Sequence, residues 1–414
     1  MNDLKTLIDD SLNEFDLTES KYQDSLYKLT ESLLKLPEFN PPDLLLKAVD
    51  KSLPLEFRIA VHLSLSKHFL ANNRKPLKLG VVFGMWGEQN RLHPKSENNP
   101  NGEDTLRTKI NQLMWATKDT PVQWKLYAVD DGCPYGSGEI AQQILADHPQ
   151  QDKVQVLFLK DTIPTSKGPL RNLKSVDDSK KGGAIILGAS KAIQDGMDAV
   201  MYTDADNSVH LGQIGILLEQ YLEGGYEVVL GNRKDPSAVL VKQESRWGIG
   251  IKLLRHMQRM VGVSIFSQGI LDSQAAFKLY DAQLLSTIIA DPGVFDFSFD
   301  SDWIAAILKM EKPFAKVPFA FVDSFAESAS IVQGPMTTWE TLLMGLVKAV
   351  RHRKLPHNEE MAHVLEKEIL SSKDLDLLIN HLPPELESAE DNQLGDPKIM
   401  SPLKVQEWIA LRKQ

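Results

Sequence analysis

Apolar residues in the first part of the chain recur at helical spacing. "YQDSLYKLTESLLKL", "LLLKAVDKS" and "FRIAVHLSLSKHFLA" place leucines three and four apart, which gathers them on one helical face. "PEFNPPD" breaks the first helices from the next, and Asp43 after the prolines is the expected N-cap. "NNRKP" reads as a linker. From Lys78 the texture changes. "LKLGVVFG", "WKLYAVDD", "KVQVLFL", "AVMYTDA" and "EVVLGNR" read as strands. "TLRTKINQLMWAT", "SGEIAQQILADH", "GGAIILGASKAIQDG" and "LGQIGILLEQYLEGG" read as the helices between them. That alternation predicts βαβ units, and so an α/β, Rossmann-like and mostly parallel sheet flanked by helices. After about residue 340 the pattern is helical again. Three parts follow: a helical N-terminal extension over 1–74, an α/β domain over 75–340 and a helical C-terminal extension over 341–414. Two polar stretches read as surface: "NRLHPKSENNPNGEDT" as a mobile loop and "LPPELESAEDNQLGD" as an exposed connector. The last helix, "SPLKVQEWIALRK", has Ser401 placed as N-cap and Pro402 as N1.

Composition narrows the class. With 414 residues, 42% of them hydrophobic and 25% charged, the chain can bury a large core. A net charge of −10 argues against a general nucleic-acid binder. The single cysteine, Cys133, rules out an internal disulfide framework and fits a reducing compartment. The N-terminus is acidic and amphipathic, without the apolar region of a secretory signal. No run of about 18 apolar residues suggests a transmembrane helix. A cytoplasmic location is the expectation.

Chemistry concentrates where apolar runs end. Ligands of parallel α/β sheets bind beyond the carboxyl ends of the strands. The run "AVMYT" ends in Asp204-Ala205-Asp206, and strand alternation would point both carboxylates the same way. Two hard oxygen donors make a partial site for Mg²⁺ or Mn²⁺, which takes its remaining ligands from phosphates and water. The competing reading is a plain turn, since Asp and Asn favour turns. A second acidic strand end, Asp130-Asp131, precedes a Gly-rich turn and a helix, and a third polar end follows "LGVVFG" in "MWGEQNRL". Three such ends in one domain point to a binding crevice.

These motifs, in this order, resemble the family 2 glycosyltransferases of GT-A fold. The likeness is greatest to the branch that makes dolichyl- or polyprenyl-phosphate sugars, and it covers about Lys78 to Val350. "GMWGEQNRL" stands where the family has Pro, then Tyr-Asn-Glu. "VDDGCPYGSGEIA" resembles its Val-Asp-Asp-Gly-Ser turn, "KGGAIILGASKA" its Gly-Lys-Gly-x-Ala helix start, and "TDADNS" its D-x-D. "GNR" stands for Gly-Ser-Arg, and "ILDSQAAFKLYDA" is similar to Asp-Thr-Gln-Cys-Gly-Phe-Lys-Leu. "FSFDSDWIAAIL" is similar to the Phe-Asp-Val-Glu-Leu helix start, and "KVPFAFVDSFAESAS" to the late strand and Ser-rich loop.

The resemblance implies roles. Asp206, with Asp204 beside it, would bind Mg²⁺ or Mn²⁺ against the diphosphate of a nucleotide-sugar donor. Glu88, Asp130 and Asp131 would meet the base and ribose, with Trp86 in the place of the family's Tyr. Lys181 and Arg233 would sit near the phosphates; for each the competing reading is a solvated surface charge. Asp300 or Asp302 would be the general base for a hydroxyl acceptor, or else helix N-terminal acids of ordinary kind. The branch's membrane segments are missing. The expected reaction is therefore metal-dependent, inverting transfer of a hexose to a soluble small-molecule or glycan acceptor. A polyprenyl-phosphate synthase working at the membrane surface is the alternative, through a basic, apolar segment at 246–262. A packed helix is the other reading of that segment. The basic stretch "AVRHRKLPH" could form an acceptor loop whose histidines supply a metal ligand, or a solvated face. A nucleotidyltransferase and a non-catalytic scaffold, with terminal helices that mediate oligomerisation, are the remaining alternatives.

Overall fold

The structure, a computed structural model, describes residues 3–17, 19–241, 248–323 and 334–414. Four helices come first: α1 (Leu4–Asp9), α2 (Ser20–Leu34), α3 (Pro41–Ala48) and α4 (Leu55–Asn72). The cap of α3 is Asn40 rather than Asp43. Pro41 opens the helix, where its missing N–H costs nothing, and Asp43 sits inside the first turn bonded to the Asn40 side chain at 2.8 Å. Helix α4 is buried on nearly every side, polar residues included. It runs between the other N-terminal helices and the α/β unit, so its polar groups need partners inside the protein.

The α/β unit then runs β1 (Leu77–Met85), α5 (Thr105–Thr117), β2 (Val122–Asp130), α6 (Ser137–Ala146), β3 (Val154–Phe158), α7 (Gly182–Gln194), β4 (Ala199–Thr203), α8 (Ile214–Leu222) and β5 (Val228–Gly231). Next come β6 (Val239–Val241), α9 (Ile251–Val261), α10 (Val263–Phe266), β7 (Phe277–Asp281), α11 (Ala282–Ile289), α12 (Phe299–Lys309), β8 (Ala315–Val317) and β9 (Ala320–Val322). The C-terminal helices are α13 (Pro335–His352), α14 (Glu359–Glu368), α15 (Ser372–Asp376), α16 (Pro384–Glu387) and α17 (Pro402–Arg412). Ser401 caps α17 as expected, its hydroxyl accepting from the Lys404 N–H.

The main sheet has seven strands in the order β3-β2-β1-β4-β7-β5-β8. Strand β7 runs antiparallel to both neighbours and the rest are mutually parallel. Two antiparallel pairings flank β7, so β4 and β5 point the same way. Their carboxyl ends, those of β1 and β2, and the amino end of β7 all lie on one edge. A small parallel sheet pairs β6 with β9. One face of the main sheet is covered by α7, α11 and α12 in a core that extends into the C-terminal helices. The other face is covered by α5, α6 and α8.

Among the described residues no helix is long and apolar enough to cross a membrane. Of the basic, apolar segment at 246–262, residues 246 and 247 lie outside the described residues. From Ile251 it forms α9, which buries Leu253, Leu254, Met257, Met260 and Val261 in the large core. The apolar face is thus satisfied within the chain. The stretch expected to be an exposed connector is also anchored: Leu386 and Leu394 are buried, and Asp391 pairs with Arg259 of α9 at 2.6 Å.

Candidate active site

Four strand ends build the crevice. At the end of β2, Asp130 is turned back on its own chain. One oxygen accepts from the N–H groups of Gly132 and Cys133, and the other from Gly138 at the start of α6. Both oxygens are therefore engaged in shaping the turn. Asp131 points the other way and accepts from the Ser179 hydroxyl and from the Lys181 N–H at 2.6 Å. Burial raises its carboxyl to about 6, against those hydrogen bonds.

Beside it, the Trp86 indole meets the exposed Tyr135 ring edge-on, with centroids 5.9 Å apart. That sets an aromatic pair beside the ends of β1 and β2, of which the sequence reading named only Trp86. Glu88 is buried and accepts from Arg91, and burial pushes it up to about 7, with Asp206 and Glu103 adding to the rise and Arg91 opposing it.

Strand β4 stops at Thr203, so the D-x-D lies in the bend that follows it. Alternation within a strand does not orient Asp204 and Asp206, contrary to expectation. Shared cations do. The Lys181 ammonium contacts Asp204 directly, and Lys109 donates to the Asp206 carbonyl at 2.5 Å. Burial works against the Asp204 charge, yet Lys181, Arg233 and Lys109 outweigh it and hold the group below the usual carboxylate range. Burial alone would likewise lower Lys181, but Asp204, Asp300 and Asp206 together hold it above an ordinary lysine. Lys181 adopts φ +79°, a backbone conformation uncommon for a residue with a side chain, held there by the Asp131 bond to its N–H.

The donor set can be tested against a divalent ion. Asp204 uses Oδ1 for Lys181, and Asp206 uses Oδ1 for the Ser208 N–H; among the described residues neither Oδ2 takes a hydrogen bond. The Asp204 side chain is 31% exposed. Among the described residues no three His, Cys, Asp or Glu side chains gather to enclose an ion. Two open carboxylate oxygens at a crevice, without a closed cage, fit Mg²⁺ or Mn²⁺ completed by phosphate and water. The histidines of "AVRHRKLPH" are engaged elsewhere, His352 with Asp291 and His357 with Glu359.

On the other side of β4, Arg233 follows β5 and is forked onto Asp272, Nε to Oδ2 at 2.8 Å and Nη2 to Oδ1 at 2.7 Å. Asp272 lies just ahead of β7. Lys278, fully buried on β7, donates to the carbonyls of Ser273 and Ala275 and to Asp300 Oδ1 at 2.5 Å. Tyr202 also donates to that oxygen. Among the described residues the Asp300 Oδ2 takes no hydrogen bond. Asp302 differs. Arg353 grips both its oxygens at 2.8 Å and the Gly293 N–H adds a third bond, with the Asp302 side chain itself fully buried. Two residues apart on a helix, the side chains diverge by roughly 200°. Asp300 joins the crevice charges and Asp302 anchors the C-terminal helices.

Several members were missed from sequence. Arg91 and Glu103 pair at 3.1 Å and are buried, so the stretch read as a mobile loop is tied down at both ends. Glu103 also accepts from the Asn207 N–H at 2.9 Å, beside the D-x-D. Lys109 left a legible signal: it falls on the apolar face of α5 with Leu106, Ile110 and Leu113, where a lysine has no place unless it is paired.

No family model matches the chain. Over 221 residues, 53% of this chain and 79% of the relative, it is 25% identical to an undecaprenyl-phosphate mannosyltransferase from Micrococcus luteus. Among solved structures it is similar to glucosyl-3-phosphoglycerate synthase from Mycobacterium tuberculosis in complex with Mn²⁺, uridine diphosphate and glucosyl-3-phosphoglycerate, at TM-score 0.45 and 12% identity, over 71% of this chain and 85% of that one. It is also similar to mannosyl-3-phosphoglycerate synthase from Rubrobacter xylanophilus, at TM-score 0.45 and 16% identity, over 70% and 77%. The class that the sheet and the strand-end motifs resemble is the GT-A glycosyltransferases. The Micrococcus luteus relative is a mannosyltransferase.

Proposed function

We propose that the protein transfers a hexose from a nucleoside-diphosphate sugar to a hydroxyl of a soluble acceptor, with inversion and with a divalent metal. The carrying observation is the convergence of Asp204, Asp206, Lys181 and Arg233 on one sheet edge, beside the aromatic pair and Asp131. A bound Mg²⁺ or Mn²⁺ would neutralise charge on the departing diphosphate. Asp204 and Asp206 would hold it. Lys181 and Arg233 would meet phosphate oxygens, and Trp86 and Asp131 the base and ribose. Asp300, through Oδ2, would take the acceptor hydroxyl proton as the new C1–O bond forms and the C1–O(phosphate) bond breaks, so that the electron pair leaves with the diphosphate. The single cysteine supports a cytoplasmic reading.

A second reading, transfer to a polyprenyl phosphate, is favoured by the likeness to the Micrococcus luteus enzyme. The burial of the α9 apolar face speaks against it.

Thermal stability of the purified protein, measured with UDP, GDP and ADP with and without Mn²⁺, tests the proposal. One diphosphate at a hundredfold excess over its dissociation constant should stabilise by about 2.7 kcal/mol, and only with the metal. No stabilisation by any of them in Mn²⁺ would refute it.

A further inference from the structure

We propose that the N-terminal helices α2 and α4 position the loop that carries Asp204 and Asp206, so that donor and metal affinity depend on a part of the chain that reaches neither ligand. The inference rests on the metal and nucleotide reading above.

The segment from Asn207 to Gly215 connects the D-x-D to α8, and the N-terminal helices grip it. Ser66 of α4, fully buried, donates its hydroxyl to the Gly212 carbonyl at 2.5 Å and accepts from the Gly215 N–H at 2.8 Å. The approach is too close for side chains. A Cβ on Gly215 would lie 2.4 Å from the Ser66 carbonyl oxygen, and one on Gly212 would lie 2.8 Å from Leu63 of α4. From α2, the Tyr27 ring meets the His210 imidazole edge-on at 5.5 Å. Gln23 of α2 accepts from Gln112 of α5 at 3.4 Å, and Gln112 in turn accepts from the Leu211 N–H at 2.8 Å.

A separate contact reaches the opposite wall of the crevice. His62 of α4 bonds the Ser237 carbonyl at 3.0 Å, in the loop that follows Arg233 and Lys234. Thus one buried helix touches the loop behind the carboxylates and the loop behind the phosphate-facing arginine. These bonds lie in a dry interior, where an unmade one is costly, so the loop has one arrangement while the helices are seated. A carboxylate pair held in place before the ion arrives binds it without a further ordering cost.

The test uses the full chain. Ser66→Ala removes two bonds to the loop at once, and Gln112→Leu removes a third from outside the N-terminal helices, which covers the case in which S66A does not fold. Leu33→Ala is the control, because Leu33 is buried in the core of the N-terminal helices and makes no bond to the loop. Two measurements are made well below the unfolding transition: calorimetric titration of Mn²⁺ with UDP or GDP, and amide hydrogen exchange over 204–212.

S66A and Q112L should weaken metal–nucleotide binding about tenfold, the scale of one lost buried hydrogen bond, and speed exchange in that segment. L33A should lower thermal stability while leaving both readouts at the wild-type values. Wild-type affinity and exchange in S66A and Q112L, or equal changes in L33A, would overturn the inference. If the wild-type protein binds no diphosphate, the functional reading fails. Exchange then decides the positioning role by itself: faster exchange in S66A than in L33A supports it, and equal exchange overturns it.

Discussion

Lys181 at the cap of α7 and Asp204 just beyond β4 are in direct contact, although 23 positions separate them along the chain. The cation proposed to meet the diphosphate is thus held by a carboxylate proposed to hold the metal. Each charge neutralises the other until ligands arrive, and a divalent ion at Asp204 would free the ammonium for a phosphate oxygen. Lys181→Met should therefore raise the donor KM and the nucleotide dissociation constant about ten- to a hundredfold, the worth of one charge-assisted bond. Steady-state kinetics and calorimetry check this. Unchanged donor affinity would show that Lys181 serves only to balance Asp204.

Replacing Asp206 with Ala should lower transfer at least a hundredfold, on the order of the several kcal/mol that a Lewis acid contributes, with the circular dichroism spectrum preserved. Chelator should do the same to the wild-type protein, and added Mn²⁺ should restore it. Full turnover in chelator would separate the reaction from the metal.

Asp300 and Asp302 should part company. Asp300→Asn keeps a hydrogen-bonding oxygen for Lys278 and Tyr202 but removes the counter-charge of the buried Lys278, so it should lower stability as well as lose about 10²–10⁴-fold in transfer, with nucleotide affinity retained. Asp302→Asn breaks a buried fork with Arg353 and should instead cost about 3 kcal/mol of stability, read from denaturant midpoints. A stable, inactive D302N would reverse the assignment of the two residues.

Acid should loosen the contact between the N-terminal helices and the α/β unit. His62 and His210 are buried and uncharged there. Burial lowers them from the ordinary 6.5 to about 4 and about 3 respectively, in each case despite a hydrogen bond to backbone. The unfolded chain takes up protons below 6.5 and the folded one does not, so the stability they contribute is complete above 6.5 and is lost as pH falls towards those values. Near pH 5 each accounts for a loss of about 2 kcal/mol. Glu88 and Asp131, raised by burial, act in the opposite direction as pH rises between the ordinary carboxylate range and about 7. A variant compared with the wild type isolates the histidine. His210→Asn retains an acceptor for the Gly212 N–H, so its urea midpoint should fall less than the wild-type midpoint between pH 7.5 and pH 5. Equal falls would place the acid sensitivity elsewhere.

Much of the architecture was legible because local periodicity and burial agree here. The strands from Leu77 to Gly231 are short and apolar, the helices between them carry one apolar face, and each boundary fell within a few residues of expectation. The strand-end carboxylates were legible for a related reason. An Asp that ends an apolar run has to be at a surface or in a site, and a parallel sheet brings successive ends to one edge. Sequence alone thus determined the layers, the sheet edge at the carboxyl ends of the parallel strands and the acidic residues on it.

What each acid does was decided only by tertiary contacts. Asp130 and Asp131 are neighbours in the chain, yet one is consumed by three backbone N–H groups and the other faces Lys181. Asp300 and Asp302 begin the same helix turn, yet their partners, Lys278 and Arg353, come from a strand before it and a helix end after it. Arg91 and Glu103 fell in the stretch read as a mobile loop, and with Lys109 they form a buried frame behind the D-x-D. Helix α4, with no polar strand end of its own, bonds through Ser66 to the loop that follows it. The reason is physical. Hydrophobic period depends on a residue's near neighbours along the chain, so it can be read locally. The role of a buried charge depends on which opposite charge or hydrogen-bond donor folding brings to it, and that partner lies tens of residues away.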